Sequence, residues 1–78
     1  MNHEVMIRFR IVKNSHIIEV MFDERLSFKE NLKILNEICD EKITDAEVYD
    51  PMKKIFLDKE VPLNSFSFQY FVSLFLFT

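Results

Sequence analysis

The sequence predicts an α+β fold, a mixed sheet of four to five strands with one helix packed on one face. Three observations carry this. Residues 4–12 and 17–22 alternate apolar with polar at a period of two, the mark of a strand with one face in a core. Phe28, Leu32, Leu35 and Cys39 recur at spacings of four, three and four, which places them on one face of a helix. Residues 70–77 are apolar on both faces, as in a strand from the middle of a sheet.

Taken in order, the first strand sets Val5, Ile7, Phe9 and Ile11 on one side and Met6, Arg8, Arg10 and Val12 on the other. Lys13-Asn14-Ser15-His16 is a polar break, with His16 expected as a turn residue, because Asn tolerates the backbone of tight turns. The second strand points Ile18, Val20 and Phe22 to the core and Ile17, Glu19 and Met21 outward, completing a hairpin. Asp23-Glu24-Arg25 is a charged stop. Ser27 followed three residues later by Glu30 is a capping box, in which each side chain can bond the other's backbone N–H. The helix is expected to run to about Glu41 or Lys42, with Ile38 widening its apolar stripe and Lys29, Lys33, Glu37, Asp40 and Glu41 solvated.

Ala46 to Tyr49 predicts a short third strand. Asp50-Pro51-Met52-Lys53 predicts a turn, since Asp favours its first position and Pro presets φ at the second. Lys54 to Leu57 returns as a short strand, and residues 58–68, with Pro62, are expected to be irregular. One amphipathic helix then covers one face of the sheet. The last strand lies in the middle beside the first, within the limits set by right-handed crossovers.

Composition narrows the function. Seventy-eight residues are expected to form one domain, residues 1–78. The chain is 49% hydrophobic with nine Phe, which excludes disorder. Cys39 is the one cysteine, so no disulfide staples the fold, and a reducing compartment is expected. Met1 to Arg8 lacks the apolar run of a signal segment. The most apolar stretch, Phe66 to Phe77, is shorter than the roughly twenty residues of a membrane span. A cytoplasmic protein without direct membrane insertion is the expectation. A net charge of −3 with scattered basic residues does not make a nucleic-acid footprint, and Arg8 and Arg10 alone are a weak one. With no glycine, no phosphate-cradling loop of the usual kinds can form.

The order strand, strand, helix, strand, short strand, strand resembles the β-grasp, or ubiquitin-like, fold over nearly the whole chain. Three stretches carry the likeness: the opening hairpin, Met6 to Val12 and Ile17 to Phe22; the helix start Ser27-Phe28-Lys29-Glu30-Asn31-Leu32-Lys33; and Ile55 to Phe66, in which a short strand meets an acidic turn, a Pro-Leu step and an aromatic. The sequence departs from the family twice. The usual polar loop before the last strand is replaced by Phe68-Gln69-Tyr70-Phe71, which leaves that strand's register open. The last residues are Phe75-Leu76-Phe77-Thr78 in place of Gly-Gly, so conjugation and sulfur carriage are not expected. In size, fold and tail the chain resembles the small ubiquitin-like components of bacterial type VII (ESX-like) secretion systems. That resemblance implies a cytoplasmic, non-catalytic accessory whose protein partner is the membrane-embedded secretion machinery.

Candidate sites are few. Zinc takes three or four ligands of fixed geometry, and Cys39, His3 and His16 are not expected to supply them, because Cys39 is expected to be a small buried hydrophobe and His16 a turn residue. No metal, cofactor or catalytic residue is expected. The sheet face opposite the helix is the candidate protein interface: Met6, Arg8, Arg10, Ile17, Glu19 and Met21, joined by Phe71 and Phe75. The last strand presents there either Phe71, Phe75 and Phe77 or Tyr70, Val72, Leu74 and Leu76. Exposed apolar patches on soluble proteins mark interaction sites, and Met and Arg are enriched in interfaces. The second reading is a homodimer or structural subunit whose aromatic last strand is buried by self-assembly.

Overall fold

In a computed structural model that describes residues 3–38, 43, 45–68 and 71–78, strands β1 (Glu4–Ile11) and β2 (His16–Asp23) form the antiparallel hairpin. Val5, Ile7, Phe9 and Ile11 are buried, as the alternation predicts. His16 is the first residue of β2, opposite Ile11, and not part of the turn. The Asn14 side chain accepts from its N–H at 3.0 Å, and Ser15, at φ 62°, makes the reversal.

Helix α1 (Phe28–Ile38) opens on the predicted capping box. Ser27 Oγ accepts from the Glu30 N–H at 3.1 Å, and the Glu30 carboxylate accepts from the Ser27 N–H at 3.2 Å. Phe28, Leu32 and Leu35 turn into the core. The expected positions of Cys39, Asp40, Glu41 and Lys42 lie outside the described residues. One buried polar residue shares the apolar stripe. Asn31, 4% exposed, donates to the Ser27 and Asp23 carbonyls and accepts from the Asp23 N–H, fastening the helix to the end of β2.

β3 (Glu47–Asp50) is displaced by one residue from its predicted span, and β4 (Ile55–Phe56) is shorter than the predicted Lys54 to Leu57 by one residue at each end. Buried Ala46 precedes β3. Asp50 closes it, because its carboxylate is committed to the turn, accepting from the N–H groups of Met52 and Lys53. Lys54 belongs to that turn and not to β4. Its φ is 57°, and its N–H reaches the Asp50 carbonyl at 2.7 Å. Within the stretch expected to be irregular, Leu63–Phe66 form a short 3-10 helix that sinks Leu63 into the core. Backbone bonds from Leu63 to Leu26 and from Asn64 to Glu24 stitch it beside the start of α1.

β5 (Phe71–Phe77) runs parallel to β1 and antiparallel to β3, giving the order β2-β1-β5-β3-β4. The open question of its register has one answer. Leu74 and Leu76 are buried and Val72 packs on the core, while Phe71, Ser73, Phe75 and Phe77 face the other way. Tyr70 lies outside the described residues. Beneath the helix, Phe9 meets Phe22 and Phe28 with ring centroids 5.5 and 6.3 Å apart, and Phe66 and Phe68 close on Phe28 from the loop. The element order and sheet are α+β as the sequence predicts, with five strands and one helix on one face.

Candidate functional site

The ladder register brings all eight predicted interface residues onto the face that α1 leaves uncovered. Met6 stands between Met21 and Phe71, Arg8 between Glu19 and Ser73, and Arg10 between Ile17 and Phe75. Side chains of one row meet across neighbouring strands because the pleat repeats every two residues. The Arg8 guanidinium reaches the Glu19 carboxylate at 3.5 Å and lies 5.3 Å from the centre of the Phe71 ring. Arg8 is thus held by an exposed ion pair and by the π-face of an aromatic ring. Arg10 has no acidic partner among the described residues. Between the two arginines, Ser73, Ile17 and Phe75 line a slot of 170 Å³.

Two residues of this face were not foreseen as part of it. Tyr49 of β3 and Phe56 of β4 join Phe75 and Phe77 in a four-ring cluster. Tyr49 stacks on Phe75 at 6.3 Å and meets Phe56 and Phe77 edge-on at 5.0 and 6.1 Å, and Phe56 approaches Phe77 at 5.7 Å. The signal for Tyr49 was present locally. Val48 points inward, so Tyr49 points outward. Its neighbours were not legible, because they follow from the pairing of β3 with β5. Ile17, Met21, Phe56, Phe71 and Phe77 remain 39–57% exposed, so the face is apolar and open to solvent.

Other concavities and charges lie elsewhere. An open cleft of 390 Å³ separates α1 from Ile43, Ala46 and Lys59. Lys29 and Lys59 on its rim are already paired with Glu60 and Glu47. At the end of β2, the Arg25 side chain and then its backbone N–H donate to the Asp23 carboxylate. These bonds lower the Asp23 pKa from 3.8 to about 2 and raise that of Arg25 above its ordinary value. Among the described residues no three His, Cys, Asp or Glu side chains are grouped to hold a metal ion, and no helix is long and apolar enough to cross a membrane.

No protein-family model and no curated protein matches the sequence. Among solved structures, the chain is similar to the ubiquitin-like domain of an Arabidopsis thaliana protein, determined by solution NMR. The TM-score is 0.73 at 16% identity, over 97% of this chain and 78% of that one. At that identity the likeness speaks to architecture. With its five-stranded mixed sheet, single crossing helix and parallel pairing of first and last strands, the chain has the ubiquitin-like, β-grasp fold.

Proposed function

We propose that this chain is a protein-binding module that docks its partner on the uncovered sheet face. The observation that supports this reading is the four-ring cluster of Tyr49, Phe56, Phe75 and Phe77, continuous along the sheet with Phe71, Arg8 and Arg10. Aromatic and arginine side chains are the residue types in which binding energy concentrates at interfaces. A β-sheet holds them with little loss of side-chain freedom on binding, because neighbouring rings already fix their rotamers. The finer reading, an accessory that docks on the membrane-embedded machinery of a type VII-like secretion system, rests on the resemblance in size and fold.

The test uses the tagged protein to capture partners at physiological salt, followed by direct binding measurements on the purified partner. Arg8→Glu with Arg10→Glu, and separately Phe77→Ser, are expected to abolish binding while the circular dichroism spectrum stays native. A partner that binds both variants as tightly as the parent would refute the docking face. Recovery of a secretion ATPase or membrane secretion subunit supports the finer reading. Recovery of the chain alone, with a melting temperature that rises with concentration, favours the homodimer.

A further inference from the structure

Arg8 and Arg10 alternate with buried residues of β1 and so project from the same side of the sheet, both exposed. The register sets Glu19 and Ser73 beside Arg8, and Ile17 and Phe75 beside Arg10. Of these residues all but Glu19 line the slot of 170 Å³. The two arginines differ in what already holds them. Arg8 is shared between the Glu19 carboxylate at 3.5 Å and the Phe71 ring. Both members of that ion pair are about half exposed, so exchanging Glu19 for another anion costs Arg8 little. Arg10 pairs with no described acid, and its neighbours in the row are apolar. The slot is therefore a place of uncompensated positive charge in a chain whose net charge is −3. The exposed Ser73 adds a hydroxyl donor to it.

We infer that this slot receives the phosphoryl group of a phosphorylated side chain on the partner protein. Such a group carries a charge of about −2 and three strong acceptor oxygens. The Arg10 guanidinium can hold two of those oxygens in a fork, while Arg8 and the Ser73 hydroxyl take the third. A carboxylate has two oxygens and one charge. One guanidinium satisfies it, so it would leave the second arginine and the hydroxyl unused, and it has no advantage over Glu19 in the competition for Arg8. The apolar walls, Ile17 and Phe75, suit the carbon stem that bears the phosphate. The slot lies within the face proposed to dock a protein and rests on that reading for its ligand.

The experiment screens the folded protein against a peptide array in which each sequence occurs with and without phosphate on its one Ser, Thr or Tyr, and measures the affinities of the best pairs in solution. Phosphorylation is expected to tighten binding about tenfold or more. Arg10→Gln, at an exposed position that leaves the β1 ladder intact, should remove that gain. Arg10→Lys should restore only part of it, because an ammonium cannot form the fork. Phe77→Ser lies outside the slot, so it should weaken both forms of a peptide alike and leave their ratio within about twofold. An array with no phosphate-dependent binder, or a phosphate gain that survives Arg10→Gln, would overturn the assignment. Peptides that lose affinity in Phe77→Ser but gain nothing from phosphate would leave the docking face standing and remove the slot. A phosphate gain lost in Arg10→Gln, with Phe77→Ser binding like the parent, would keep the slot and remove the aromatic cluster from the docking surface.

Discussion

The Asn31 carboxamide is bonded to both backbone groups of Asp23, accepting from its N–H and donating to its carbonyl, each at 3.0 Å. It does for the last residue of β2 what a neighbouring strand would do, and it does so from a helix. Removing it leaves the part-buried N–H and carbonyl of Asp23 without that partner. Asn31→Ala is expected to lower the unfolding free energy by about 1–3 kcal/mol, read from urea denaturation. A loss under about 0.5 kcal/mol, the scale of an ordinary surface change, would mean that water replaces the side chain freely.

The capping box at Ser27 and Glu30 makes a second measurable contribution. Ser27→Ala should cost about 1 kcal/mol. Because the two residues bond each other reciprocally, the double variant with Glu30→Ala should cost less than the sum of the two single ones. Strict additivity in the double-mutant cycle would show that the pair does not act as a unit.

Lys54 sits at φ 57° in a chain without glycine. Left-handed backbone costs a residue with a Cβ roughly 1–2 kcal/mol, partly offset in the comparison because glycine gains unfolded-state freedom. Lys54→Gly is therefore expected to raise stability by about 0.5–1 kcal/mol. Lys53→Gly, next to it and without the positive φ, should lower it. Thermal melting of the two variants beside the parent gives the comparison.

The Asp23 carboxyl, held at about 2 by Arg25, titrates below its ordinary value of 3.8. A group whose folded pKa is depressed contributes stability that is present above the unfolded pKa and is lost as pH falls through the folded one. The contribution is thus complete above about pH 4 and disappears toward pH 2. Asp23→Asn should flatten this part of the melting-temperature profile between pH 5 and 2. An unchanged slope in the variant would assign the acid sensitivity to other carboxylates.

The register of β5 predicts unequal costs for neighbouring residues. Leu74→Ala, at a buried position, should cost about 2–5 kcal/mol, whereas Phe71→Ala, on the open face, should cost less than about 1 kcal/mol. Denaturation midpoints that reversed this order would put the strand one residue out of register.

The contrast between these residues shows what was legible in the sequence. β1, β2 and α1 could be read because each buries one face, so period and environment coincide in Val5 to Ile11 and in Phe28, Leu32 and Leu35. β5 is apolar on both faces, and only its position between β1 and β3 decides that Leu74 goes in and Phe75 goes out. Six of the eight interface candidates lie on one face because they inherit the hairpin's alternation, and Phe71 and Phe75 join them only through the pairing of β5 with β1. The four-ring cluster could not be assembled from the sequence, since Tyr49 and Phe56 reach Phe75 and Phe77 through strand pairings distant in the chain. Asn31 was hidden for a different reason, as a polar residue on an apolar stripe whose partner is a strand end. The left-handed turns at Lys54 and Ser67 carry no glycine to announce them.

The placement of β5 also sets the timetable of biosynthesis. Met6 finds its parallel partner only in Phe71, and Ile11 only in Leu76. A ribosome delivers the first of each pair long before the second, and contacts so far apart in sequence form late. Until β5 emerges, the inner edge of β1 is unpaired, and Val5, Ile7 and Phe9 lack the Leu74 and Leu76 side chains that complete their enclosure. Nascent chains arrested before Phe71 should therefore be cut readily by protease, and resistance should arrive abruptly once Phe77 has cleared the exit tunnel. In a chain ordered in this way the core face and the uncovered face of the sheet are completed together, when β5 docks between β1 and β3.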